Sequence, residues 1–104
     1  MPRRAAPKPV RDWLLGLAPR DRRLVGRDIA TAEFGWPVGM PTCRPLGRGL
    51  FEIRSSISDG RIARVILAVA DERMVLLHGF VKKTQRTPKP DIDVALRRLK
   101  ELDR

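Results

Sequence analysis

The chain has 104 residues, with 22 Lys and Arg against 12 Asp and Glu, a formal net charge of +10 and a pI near 11.4. This length holds one domain with a modest core, and the charge favours RNA, DNA or an acidic protein as partner. Its single cysteine, Cys43, excludes an intrachain disulfide and a cysteine-based metal cluster within one copy. With no apolar run of signal-peptide or membrane-spanning length, we expect a cytoplasmic protein without a membrane partner.

The N-terminal third predicts an arm followed by a helical hairpin. Residues 1–9 contain three prolines and three basic residues, so we expect a flexible basic arm that forms no strand, followed by a single domain over residues 10–104. The next apolar stripe has the spacing of an amphipathic helix and comprises Val10, Trp13, Leu14 and Leu17. A second helix is predicted from about Pro19 to about Glu33.

The rest of the chain predicts a sheet and a final helix. Residues 35–41 are rich in glycine and proline and predict a loop. Alternating patterns and turn signals then predict an antiparallel meander of four strands, at about 44–46, 51–57, 61–70 and 74–83. Thr87 as N-cap and Pro88 open a C-terminal helix. We therefore expect an α+β fold with helices on one face of a twisted sheet and the other face only partly covered.

Two arginines of the predicted meander are unusual in their positions, and Arg54 is a candidate phosphate ligand. Arg54 alternates in phase with Glu52, so its side chain is predicted to emerge opposite the main core. Arg64 lies in the middle of a strand, where a charge is costly unless it is paired or faces a groove. A structural ion pair between Arg64 and Glu52 is the alternative interpretation.

The segment VLLHGFVKKTQRTP, residues 75–88, carries the strongest functional signal. His78, Phe80 and Lys82 share one face of the last strand, where an aromatic ring beside cations suits stacking on an exposed base. A core Phe and a structural His are the alternatives. No nucleotide-binding loop or metal-ligand spacing occurs, so no metal or other cofactor is predicted. RNA fits this inventory, because its own 2′-OH can act as the nucleophile.

These segments resemble the phage-derived HigB-type branch of the RelE/ParE toxins. The similarity runs from Val10 to about Arg98 and rests on PVRDWLLGL, PRDR, FGWPVGMP, PLGRGLFEIR, ARVILAV and the long VLLHGFVKKTQRTP motif. It implies a RelE-like fold and a metal-independent endoribonuclease that cuts mRNA on the ribosome. It also implies a cognate helix-turn-helix antitoxin as partner, with operator DNA bound only indirectly through that antitoxin.

Carried over to this sequence, the resemblance implies two groups of site residues. The candidate catalytic residues are Arg54, Arg64, Lys82, Lys83 and His78. The candidate RNA-binding residues are Arg48, Phe80, Gln85 and Arg86. The arginines would hold the scissile phosphate, and a lysine or His78 would help to remove the 2′-OH proton.

Two departures from the family pattern leave other functions open. The family often has a strand before the helical hairpin, which residues 1–9 are predicted to lack. The chain also has no tyrosine, whereas some relatives use one for stacking or proton transfer. The alternatives are a ParE-like poison of DNA gyrase that cuts nothing, and a non-catalytic basic module that binds an antitoxin.

Overall fold

The computed structural model describes residues 4–5, 7–35, 43–70, 72–82 and 86–102. In these ranges the helices are α1 (Lys8–Leu15), α2 (Pro19–Gly35) and α3 (Lys89–Leu102), and a single 3₁₀ turn spans Ser58–Gly60. The strands are β1 (Arg4–Ala5), β2 (Cys43–Gly47), β3 (Leu50–Ser56), β4 (Ile62–Ala70) and β5 (Arg73–Lys82). They form one sheet in the order β1-β5-β4-β3-β2.

The antiparallel meander β2–β5, the N-terminal helical hairpin and the C-terminal helix confirm the predicted α+β fold. The Gly47–Gly49 turn between β2 and β3 has positive φ throughout, including 57° at Arg48, a region that glycine enters without strain. The predicted loop at 35–41 is not tested beyond Gly35, which ends α2, because residues 36–41 lie outside the described residues. None of the described helices is both long and apolar enough to cross a membrane.

The prediction that residues 1–9 form no strand was wrong. Arg4–Ala5 pairs in parallel with Met74 and Val75 of β5, and α1 already begins at Lys8. Two residues carry no periodic signal of their own, so only their pairing with β5 defines this strand. The short strand β1 therefore covers part of the edge of β5 that would otherwise be unpaired.

The helices lie on both faces of the sheet, which corrects the expectation of a single covered face. Alternate residues of a strand point to opposite faces, and the buried side chains divide in this way into two clusters. The cluster under the helical hairpin includes Val10, Val25, Ile29, Ile53, Val65, Leu67 and Leu76. The cluster under α3 includes Leu50, Ile66, Ala68, Leu77, Phe80, Ala95 and the partly buried Ile92, Leu96 and Leu99.

Gly79 lets α1 lie close against β5. A Cβ atom at this position would lie 2.2 Å from Cε3 of Trp13, well inside van der Waals contact. The glycine of the HGF motif thus has a packing role under the Trp13 ring. A larger side chain there would force the ring or the strand to move.

Asp21 joins the start of α2 to the turn between β3 and β4. It is 2% exposed, and its carboxylate accepts hydrogen bonds from the backbone and hydroxyl of Ser58 and from Arg61. The backbone hydrogen bond from Ser58, reinforced by the Ser58 hydroxyl and by the charge of Arg61, holds the pKa of Asp21 below its ordinary value. This contact fixes the hairpin against the end of the sheet at which the candidate site lies.

Candidate nucleic-acid interface

A row of three predicted site residues crosses the sheet on the face that α3 partly covers. Arg54 of β3 lies opposite Arg64 of β4, and Arg64 lies opposite Phe80 of β5. The guanidinium carbon of Arg64 is 6.0 Å from the centre of the Phe80 ring, within the range of a cation–π contact. Directly opposed side chains of this kind have Cβ atoms about 5 Å apart, so the two arginines are close neighbours.

Arg64 is completely buried, at 0% exposure. None of its three guanidinium nitrogens has a hydrogen-bond partner in the structure as described. Burial lowers the pKa of Arg64, and the adjacent charge of Arg54 lowers it further, whereas Glu52 raises it. An arginine stays charged under such conditions, so a buried positive charge without a hydrogen-bond partner lies beneath this part of the sheet.

A groove of about 520 Å³ opens beside this row. Arg44, Arg54 and Arg86 supply three guanidinium groups to its lining, and Glu52 and Thr87 supply a carboxylate and a hydroxyl. The remaining wall is apolar and consists of Pro45, Leu46 and Ile92. A surface that combines several cations with an apolar wall suits a chain of phosphates joined to flat bases.

Glu52 is the carboxylate of this groove, and it is 0% exposed. Its Oε1 accepts a hydrogen bond from Nε of Arg54 at 2.6 Å, and its Oε2 accepts one from the hydroxyl of Thr87. The alternative considered above, an ion pair between Glu52 and Arg64, is therefore wrong, because the carboxylate binds Arg54 instead. Glu52 therefore pairs with Arg54 of its own strand and not with Arg64 of the neighbouring strand.

His78 is held between two charged residues of α3. Its Nε2 lies 2.7 Å from Oδ1 of Asp91, and its Nδ1 lies 3.5 Å from Nη1 of Arg98. The ring also stacks on Phe80, with centroids 5.4 Å apart. An imidazole that donates from Nε2 and accepts at Nδ1 satisfies both contacts, which is the structural arrangement named above as an alternative for this residue.

The other predicted residues are placed less centrally. Lys82 is exposed at the end of β5, one side-chain pair beyond Phe80 on the same face. Arg86 is exposed and lines the groove. Arg48 occupies the β2–β3 turn, before the start of β3 at Leu50, which is itself about 13 Å from Arg54 along the strand. Lys83 and Gln85 lie outside the described residues.

Sequence reasoning missed the groove roles of Arg44, Glu52 and Thr87 and the contact of Asp91 with His78. Arg44 and Glu52 are cross-strand partners, and this register depends on the bulge after Pro45, which has no signal in the sequence. The sequence predicts Thr87 only as the N-cap of the last helix, and this is wrong, because α3 begins at Lys89 and the Thr87 hydroxyl donates to Glu52. A usable signal was the pattern Glu-x-Arg at Glu52 and Arg54, because residues two apart share one face of a strand.

Within the described residues, no group of three or more His, Cys, Asp or Glu side chains is arranged to hold a metal ion. The polar groups that line the groove are three arginines, a threonine and the buried carboxylate of Glu52. Such groups bind and orient an anionic ligand and stabilise charge that develops on it.

Comparison with known proteins gives one clear result. No curated protein matches the chain significantly. Residues 12–100, which include all three helices except the first turn of α1 and the end of α3, match the family model described as Phage derived protein Gp49-like (DUF891). The chain therefore belongs to this phage-derived Gp49-like family, a toxin-like family related to RelE.

Proposed function

We propose that the protein is the toxin of a toxin–antitoxin system and that it arrests growth by cleaving mRNA on the ribosome, as HigB-type toxins do. The observation that carries this proposal is the buried guanidinium of Arg64, which has no hydrogen-bond partner among the described residues. Buried charges without partners are strongly unfavourable. We infer that the buried charge of Arg64 is retained because it strengthens the binding of an anion in the adjacent groove.

The phosphate of an RNA backbone is the anion that fits this groove best. Arg44, Arg54 and Arg86 line an open surface rather than a closed cavity, so a chain can pass through it. The charge of Arg64 lies behind Arg54 in a poorly screened setting, where its field is stronger than that of a solvated arginine. Negative charge that develops on a phosphate during cleavage would be stabilised there.

The attacking group in this proposal is the 2′-OH of the RNA. Both ring nitrogens of His78 are engaged, Nε2 by Asp91 and Nδ1 by Arg98, so it is a weaker candidate for removing the 2′-OH proton than the sequence suggested. Lys82 is exposed on the same face, one side-chain pair beyond the arginine row, and we assign it this role. The cognate antitoxin would suppress the activity by binding the toxin.

Primer extension on cellular mRNA after induction tests the proposal. Wild-type protein should produce discrete cleavages within translated regions, and an Arg44→Ala/Arg86→Ala variant should produce far fewer. The matched control is Arg20→Ala/Arg23→Ala, which removes the same charge from exposed positions of α2 on the other face of the sheet. Intact transcripts together with DNA damage signalling would contradict the proposal and support a gyrase poison.

A further inference from the structure

Among the described residues that line the groove, Glu52 is the one whose charge opposes the binding of an anion. Its carboxylate accepts a hydrogen bond from Arg54, and Arg44 is its cross-strand partner. Removing it would increase the positive charge of the groove and strengthen phosphate binding. Affinity alone therefore gives no reason for a carboxylate at this position.

The geometry of Glu52 indicates a different role. Each of its two oxygens accepts one hydrogen bond, Oε1 from Nε of Arg54 and Oε2 from the hydroxyl of Thr87. All three side chains line the groove, and Thr87 lies two residues before the start of α3 at Lys89. A guanidinium held through Nε is restricted in its rotation, because the planar fork turns as a unit.

We propose that Glu52 is a positioning residue that holds Arg54 in the orientation that cleavage requires and ties this orientation to the start of α3. An arginine that is oriented before the substrate binds loses less conformational freedom in the transition state. This inference rests on the proposed function, since it assigns a role within the same groove.

Glu52→Gln separates positioning from a structural role. The amide keeps the shape of the side chain, but it offers only one acceptor oxygen, and its NH2 group would meet either Nε of Arg54 or the Thr87 hydroxyl. With ribosome-bound mRNA as substrate, we expect kcat to fall by roughly tenfold to a hundredfold, while KM stays unchanged or falls. Glu101→Gln, the same charge change at an exposed position of α3, should change neither constant.

Three outcomes would overturn the inference. A fall in kcat with a parallel rise in KM and a lower Tm would mean that Glu52 only supports the fold. A rise in activity would mean that Glu52 only offsets the positive charge of the groove. Unchanged kinetics would mean that Glu52 neither positions Arg54 nor offsets this charge.

If Glu52→Gln does not fold, Thr87→Val replaces it, because this near-isostere removes only the donor to Oε2. It should lower kcat and leave KM unchanged, and an unchanged kcat would overturn the link to α3.

A measurement on the free protein distinguishes this inference from the function on which it rests. The Nε–H proton of Arg54 should exchange slowly with solvent in the NMR spectrum of the wild type and rapidly in Glu52→Gln. Equal exchange in both proteins would overturn the positioning role even if mRNA is cleaved. Slow exchange in a wild type that cleaves no RNA would leave the contact in place and overturn the nuclease instead.

Discussion

Arg54 and Arg64 lie directly opposite each other on β3 and β4, so that two guanidinium side chains share one row of the sheet. Like charges at opposed positions destabilise an antiparallel pair, and Arg64 is also fully buried. Glu52 offsets part of this repulsion by binding Arg54. The sheet thus retains an unfavourable pair of like charges, and an unfavourable local arrangement of this kind is typical of a functional site.

Replacing Arg64 by methionine should stabilise the protein and abolish its toxicity. Methionine has a similar length and no charge, and replacing buried ionic groups by apolar ones stabilises proteins by about 1–4 kcal/mol. Urea denaturation measures the free energy of unfolding, and growth after induction measures toxicity. Arg23→Met, at an exposed position of α2, is the control and should change stability by less than about 0.5 kcal/mol. A less stable Arg64→Met protein would show that the guanidinium supports the fold.

Gly79→Ala should destabilise the protein through Trp13. The new Cβ would fall 2.2 Å from Cε3 of the ring, and overpacking of this kind costs roughly 1–3 kcal/mol. The thermal midpoint measures the loss.

Gly26→Ala is the matched control for that substitution. A Cβ there meets nothing within 4 Å, and α2 is a regular helix at this point. Alanine should therefore stabilise the protein by about 0.5–1 kcal/mol. Equal effects of the two substitutions would contradict the close packing of Trp13 on Gly79.

The helices were predictable because their apolar stripes are local features. Val10, Trp13 and Leu14 have helical spacing within α1, although α1 ends at Leu15, before Leu17. Pro19 marks the start of α2 at the residue where the structure has it. The four strands of the meander followed from alternation and from the turn at Asp59 and Gly60. The two-residue strand β1 did not, because its partner in β5 is about 70 residues away in the sequence.

The candidate site was predictable only as a set of charges. The sequence showed that Arg54, Arg64 and Phe80 belong to neighbouring strands, and their common row depends on register that the structure supplies. It did not show that Arg64 is buried or that Glu52 binds Arg54. Which of several nearby acids a given arginine contacts depends on side-chain packing, and composition does not determine it.

The stability of the protein should decrease in acid in a way that depends on Asp21. Its pKa is lower in the folded protein than the ordinary value of 3.8, chiefly because of the backbone hydrogen bond from Ser58. The stabilising contribution is therefore complete above pH 3.8 and is lost as the pH falls from there through the lower folded pKa. Asp21→Asn should remove this part of the pH dependence, as measured by urea denaturation between neutral and acid pH. An unchanged slope in the variant would contradict the assignment.

Cys43 should react slowly with alkylating reagents. Burial raises the pKa of its thiol to about 11, and only the thiolate is nucleophilic. The modification rate with iodoacetamide, followed by mass spectrometry, should keep rising with pH through 9 and above. A rate that levels off near pH 9 would show an ordinary, solvated thiol.

The cleavage rate of ribosome-bound mRNA by purified protein tests the central claim most directly, with Arg54→Ala compared against Arg23→Ala. Both variants lose one positive charge, but only Arg54 lines the groove and contacts Glu52. We predict that Arg54→Ala lowers the rate by about a hundredfold or more, while Arg23→Ala stays within about twofold of the wild type. Equal rates for the two variants would contradict the claim that the Arg54–Arg64 row is the site at which RNA is cleaved.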